Sequence, residues 1–240
     1  MTGNLDDLRE RYLRAQLAGD RREAVRVVIE SGFERGASVR ELQAHVVQAA
    51  QNEIGRLWQL NQVTIAQEHM ATAISQLALA ALFERAPGGK PYGKTIAIAC
   101  VEGELHDMPA RLVADYLELD GFDVRYLGAN VPQDHLVSMI RAEVPDVIGL
   151  SVTMSFNMPA LREAVPRLRA VTSAPIFVGG HAIDLSRTTA VALGVEIVGN
   201  LPDELLATAR RLAGIGKRGP DTRGPDTRGP DTRGPETRSE

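Results

Sequence analysis

The hydrophobic period of this chain changes once, at Ala86-Pro-Gly-Gly-Lys-Pro-Tyr-Gly93, and that change constrains the fold more than any other feature. Before it, apolar residues recur at the three- and four-residue spacing of helices with one buried face. Leu5, Leu8, Tyr12 and Ala15 begin the pattern, and Gly19-Asp20 interrupts it. Asp20 is placed to cap a second helix carrying Val25, Val28 and Ile29, ended by Gly32 to Gly36. Ser38-x-x-Glu41 and Thr64-x-x-Gln67 are capping boxes that open a third helix running to about Leu60 and a fourth running to about Arg85. Four helices with short turns predict a small bundle over residues 1–86, with 87–93 as a linker.

After the linker the apolar stretches shorten. Ile96–Val101, Val124–Leu127, Val147–Val152, Ile176–Val178 and Val195–Val198 alternate with amphipathic segments near 107–119, 132–143, 158–171, 186–193 and 202–213. Strand and helix alternating five times predict a parallel sheet covered on both faces. Residues 94–216 are therefore expected as an α/β domain of flavodoxin-like, Rossmann-like kind, with its ligands at the carboxyl ends of five strands. No GxGxxG or GxxxxGK[ST] lies between one of these strands and the helix that follows it, which argues against a dinucleotide fingerprint and a P-loop. From Arg218 the unit RGPDT repeats with no apolar residue but proline. Such a segment buries too little to offset its ordering entropy, so 217–240 is expected to be disordered.

Charge and cysteine content narrow the function. A net charge of −4 argues against nonspecific nucleic-acid binding. A single cysteine, Cys100, excludes an internal disulfide and any multi-cysteine metal site; inside a strand it reads as a small buried hydrophobe. No apolar stretch is long enough to span a bilayer, and the acidic N-terminus does not read as a secretory signal. A cytoplasmic location is the expectation.

The loop after the first strand carries chemistry. In Val101-Glu-Gly-Glu-Leu-His-Asp-Met-Pro109, His106 stands where an α/β sheet binds ligands. It reads either as a metal ligand, since imidazole suits borderline metals such as cobalt, or as a solvated loop histidine. Glu104, two residues earlier, can accept the other ring N–H. Ser151-Val-Thr153 ends the third strand, and Gly179-Gly180-His181 ends the fourth. Alone, each is explained by turn chemistry.

In that order the three motifs resemble the cobalamin-binding domain of methionine synthase and its relatives, whose pattern is Asp-x-His-x-x-Gly, Ser-x-Leu and Gly-Gly. Glu replaces Asp at 104, Pro109 stands for the glycine and Thr153 for the leucine. The resemblance implies His106 as the lower cobalt ligand. It implies Ser151, Thr153, Gly179 and Gly180 beside the displaced nucleotide tail. Pro109 takes the place of a glycine that gives that tail room, although a first-turn helix proline is benign.

Trp58, nine intervening residues and Glu68-His69 resemble the light-sensing cobalamin proteins of bacteria. That likeness implies Trp58, Glu68 and His69 over the upper face of adenosylcobalamin, and a non-enzymatic sensor in which photolysis of the cobalt–carbon bond rearranges the cap. Output would pass to a homo-oligomer or a protein partner, without direct DNA binding. Biliverdin or another bilin is a possible second chromophore that no motif settles. Gln59 stands where the transcriptional members carry a cobalt-capturing histidine, which puts a bis-histidine photoproduct by that route in doubt. The alternatives are a corrinoid methyl carrier of a methyltransferase system, which shares the bundle and the segment Ile54-Gly-Arg-Leu-Trp58, and a B12-responsive regulator indifferent to light. Of the other histidines, His45 is expected in a core or groove position, His135 exposed, and His181 near the nucleotide tail.

Overall fold

The computed structural model describes residues 5–199 and 201–216; the tail expected to be disordered, 217–240, lies outside the described residues. The N-terminal part is helical. Helix α1 is Asp6–Leu17. Helix α2, residues 21–34, is α-helical over Arg21–Arg26 and Gly32–Glu34 with a π-helical segment, Val27–Ser31, between them. Helix α3, residues 39–59, likewise carries a π-helical segment, Leu42–Gln48, between Val39–Glu41 and Ala49–Gln59. Helix α4 is Ile65–Phe83. The capping residues behave as their chemistry requires. Asp20 accepts from the Glu23 N–H at 2.9 Å, and the boxes at Ser38/Glu41 and Thr64/Gln67 are both closed.

Five parallel strands follow, β1 Thr95–Cys100, β2 Asp123–Gly128, β3 Val147–Ser151, β4 Ile176–Gly179 and β5 Glu196–Ile197, in the order β2-β1-β3-β4-β5. Between and after them come α5 Met108–Asp120, α6 Gln133–Glu143, α7 Met158–Arg169, α8 His181–Leu185, α9 Arg187–Ala192 and α10 Pro202–Leu212. Two expectations shift. A short helix, His181–Leu185, precedes the one expected near 186–193, because Gly180 turns the chain at once. Strand β5 is two residues long rather than four.

The order reverses between β1 and β3, and ligands of open α/β sheets bind at such a switch point. The register places Cys100 beside Ser151 and Ser151 beside Gly179, so the carboxyl ends of β1, β3 and β4 form one edge. The helical part packs on this domain through α5. One continuous apolar cluster joins Leu8, Tyr12 and Leu42 of the bundle to Leu112 and Leu117 of α5. Polar contacts cross the same boundary: Gln43 Nε2 donates to Asp115 at 3.1 Å, and Arg40 pairs with Asp120 at 3.4 Å. The opposite face of the sheet is covered by α6 and α7. Among the described residues no helix is long and apolar enough to cross a membrane.

Candidate functional site

Glu104 organises the β1 edge. Its side chain is fully buried, and a buried carboxylate survives only when its oxygens are satisfied. One oxygen, Oε1, accepts from the backbone N–H of His106 at 3.0 Å and from its ring Nδ1 at 2.7 Å. The other, Oε2, accepts from the N–H groups of Thr153 and Met154 and from Asn157 Nδ2, each at 2.9 Å. Burial pushes the carboxyl pKa upward, but these donors outweigh it and hold it at about 2. An ionised carboxylate can only accept, so His106 Nδ1 donates to it, and in the neutral imidazole Nε2 keeps its lone pair. The His106 side chain is about half exposed. Its pKa is raised by the Glu104 hydrogen bond, against partial burial, with Glu68 of the bundle and Asp107 adding to the rise. Gln76 of α4 donates to Asp107 Oδ1 at 3.3 Å, which ties that helix to this loop.

The loop that carries His106 is fastened to its neighbours. Gly103, at φ +84°, donates to Asn130 Oδ1 at 2.8 Å, and the Asn130 N–H donates to the Glu104 carbonyl at the same distance. Pro109 falls in the first turn of α5, where the missing N–H costs nothing.

Beneath this loop a cavity of about 60 Å³ opens between α5 and the strand ends. Pro109, Ser151, Gly179 and Gly180 lie on its wall, with Gln48 from the bundle and Tyr116 from α5. Gly180 is required by the backbone: its φ is +108°, and a Cβ there would stand 2.3 Å from the Val152 carbonyl oxygen. Thr153, expected beside the tail, is not part of this wall; its contribution is the N–H given to Glu104. Two buried hydroxyls, Tyr116 OH and Thr153 Oγ1, have no hydrogen-bond partner among the described residues.

A second glutamate–histidine pair stands in the bundle. Glu68 Oε2 takes His69 Nδ1 at 2.6 Å, and the His69 ring is 75% exposed. Trp58, at the end of α3, keeps 37% of its surface exposed. Leu105 and Phe156, on the loops after β1 and β3, are exposed too. The structure thus brings Glu104, His106, Ser151, Gly179 and Gly180 to one sheet edge. It does not bring in the remaining histidines. His45 faces solvent, which corrects the expected core or groove position: Leu42, Gln43, Val46 and Val47 form the buried face of this helix, and position 45 falls opposite it. His135 and His181 are exposed. Asn157, Asn130 and Tyr116 were not singled out in the sequence. The one signal for Asn157 is a polar residue following a strand end, just before a helix.

Among the described residues, no group of three or more His, Cys, Asp and Glu side chains could hold a metal ion by itself. A metal at His106 must arrive with most of its ligands already supplied. Two family models, each described as a B12 binding domain, match residues 8–83 and 94–207, which together cover most of the chain. The chain belongs to the B12-binding family. Among relatives of this B12-binding protein, the HTH-type transcriptional repressor CarH of Myxococcus xanthus is 30% identical over 148 residues, 60% of this chain and 48% of the repressor. The chain therefore spans about half that relative's length. Dimethylamine corrinoid protein 1 of Methanosarcina acetivorans is 26% identical over 169 residues, 68% of this chain and 78% of the relative. The solved monomethylamine corrinoid protein of Methanosarcina barkeri superposes with a TM-score of 0.76 over 87% of this chain and 99% of its own, at 16% identity, a likeness of fold.

Proposed function

We propose that this protein holds a cobalamin between its helical cap and the edge of its sheet, with His106 Nε2 as the lower cobalt ligand. The single observation that carries this reading is the Glu104–His106 pair: a fully buried carboxylate fixes the imidazole by Nδ1 and leaves Nε2 outward. Such a carboxylate–histidine arrangement sets the tautomer and raises the basicity of a ligating nitrogen. The residues present fit the group. The cavity walled by Ser151, Gly179 and Gly180 suits a planar tail lying against backbone, and the unpartnered Tyr116 hydroxyl offers that tail a hydrogen bond. Residues 1–86 and 94–216 act in this reading as cap and cobalamin domain.

Above the metal we read Trp58, Glu68 and His69 as contacts for an adenosyl group. A methyl group has no use for a carboxylate and an imidazole, whereas a nucleoside has hydroxyls and ring nitrogens to meet both. Bound cobalamin supplies a cobalt–carbon bond that visible light breaks. Loss of the nucleoside would free Glu68, His69 and Trp58 together and alter how the cap rests on α5, which makes the chain a light sensor acting through an oligomer or a partner. A bilin remains an addition to this reading without a residue to carry it.

A second reading, a corrinoid methyl carrier serving a partner enzyme, is favoured by the extent of the likenesses. The dimethylamine corrinoid protein is matched over 78% of its length and the monomethylamine corrinoid structure over 99%, against 48% for CarH. The discriminating experiment loads the full chain with adenosylcobalamin and follows its absorption spectrum and elution volume in the dark and after green light. A light-driven change in both supports the sensor. A spectrum and elution that survive illumination, with methyl transfer in the dark, support the carrier.

A further inference from the structure

Behind Glu68, the interior of the bundle is a one-way chain of hydrogen bonds. Ser75 Oγ donates to Gln51 Oε1 at 3.0 Å, so Ser75 must receive its own bond from Tyr12 OH at 3.1 Å. Gln16 Nε2 also donates to Ser75 Oγ, at 2.9 Å, and to the Ala71 carbonyl at 3.1 Å. With its oxygen occupied, the Gln51 amide is fixed in orientation and turns Nε2 outward, to Thr72 Oγ1 at 2.6 Å and to Glu68 Oε1 at 3.4 Å. Thr72 passes its own hydroxyl hydrogen to Glu68 Oε1 at 2.8 Å. The donors run from α1, through α3 and α4, toward a single acceptor. Tyr12, Gln16 and Ser75 are fully buried, so this orientation was built into the core. Chains of aligned hydrogen bonds polarise one another, and a low-dielectric interior strengthens them.

We propose that Gln51 and Thr72 are positioning residues: they anchor Glu68 Oε1 from within the cap, so that Oε2, with His69, is presented to the hydroxyl groups of a nucleoside upper ligand. The inference rests on the reading that the cap stands over the upper face of a cobalamin. Unanchored, a glutamate at the start of a helix samples several rotamers in water and gives a ligand little selectivity. Anchored on one oxygen, it offers the other at a fixed place. A carboxylate has about four lone-pair positions, and the anchoring contacts with His69 leave it one to spare.

The test is the ratio of affinities of the full chain for adenosylcobalamin and methylcobalamin, titrated in the dark by absorption. One charge-assisted hydrogen bond gives a preference for adenosylcobalamin of about tenfold or more. Glu68→Gln should lower the ratio severalfold. Thr72→Val, which keeps the shape of the side chain, and Gln51→Leu should lower it as far, with methylcobalamin affinity unchanged. Thr72→Ser, which keeps the hydroxyl, should retain the wild-type ratio. If Glu68→Gln lowers the ratio while Thr72→Val and Gln51→Leu leave it untouched, the positioning role is overturned and the cap reading stands. If Glu68→Gln leaves the ratio unchanged, the nucleoside contact itself is overturned. If the wild-type chain takes up neither cobalamin, the underlying reading fails and this inference with it. Should Gln51→Leu not fold, Thr72→Val and Thr72→Ser decide alone.

Discussion

At the scale of single residues, Glu104 carries more of the structure than its sequence neighbourhood suggests. Its pairing with His106 is legible in the two-residue spacing. Its other donors are not, because Thr153, Met154 and Asn157 lie some fifty positions downstream and meet it only once β1 and β3 are paired. Removing the carboxylate leaves buried N–H groups without acceptors, each costing about 1–3 kcal/mol. Glu104→Ala is therefore expected to lower the free energy of unfolding by about 3 kcal/mol or more in a denaturant titration. Glu104→Gln keeps some of these bonds and should be milder in stability. In cobalamin affinity it should still lose about tenfold to a hundredfold, since the acceptor that fixes the imidazole tautomer is weakened. The unpartnered hydroxyl of Tyr116 could not be read from sequence, where the residue looks like one more apolar position on α5. Tyr116→Phe should leave stability unchanged or slightly improved in thermal unfolding, since it removes a buried group that no atom of the described residues satisfies.

At the scale of elements, the capping boxes and the five strand–helix alternations follow from local chemistry and were legible for that reason. The π-helical segments of α2 and α3 were not. A 3.6-residue period and its local widening leave nearly the same apolar pattern, and the difference is decided by packing. The β4–α8 turn is the opposite case, where Gly179-Gly180 signalled a backbone constraint and the structure supplies it. Gly180→Ala has to place a Cβ 2.3 Å from a carbonyl oxygen at φ +108°. It is expected to cost about 2–5 kcal/mol, measured by chemical denaturation, with the loss of cobalamin uptake following from the displaced strand end.

At the scale of the whole molecule, the cap and the α/β domain meet through α5, and the charges there make stability depend on pH. Burial pushes Asp115 up to about 6, against the neighbouring Arg111 and with a small contribution from Glu118, while Gln43 donates to it from the cap. Between the ordinary aspartate pKa near 4 and that raised value, the folded protein binds a proton that the unfolded chain releases. Stability from this site therefore falls as pH rises from about 4 through 6, and Asp115→Asn should flatten that part of a melting-temperature profile. Asp120 and Glu104 act in the opposite sense. Their pKa values are held down by Arg210 and Tyr92, and by the Glu104 donors, against burial. The stability they contribute is present above the ordinary carboxyl range and is lost as pH falls below it. Net stability should thus peak in mildly acidic solution rather than rise steadily to neutrality. A helical part followed by a parallel sheet was legible from the period change, whereas the contacts of Arg40 and Gln43 with α5 join positions about seventy to eighty residues apart and needed the folded chain.

The central claim is that His106 binds cobalt from below. Its most direct test is the electron paramagnetic resonance spectrum of the full chain loaded with the one-electron-reduced, cobalt(II) form of cobalamin, prepared once with ordinary and once with nitrogen-15-labelled histidine. The claim predicts that the nitrogen splitting of each cobalt line changes from three components to two on labelling, and that His106→Ala abolishes this sensitivity. Splitting that ignores the label, or that survives intact in His106→Ala, would mean that the lower nitrogen comes from the cofactor's own tail or from another residue, and would contradict the assignment.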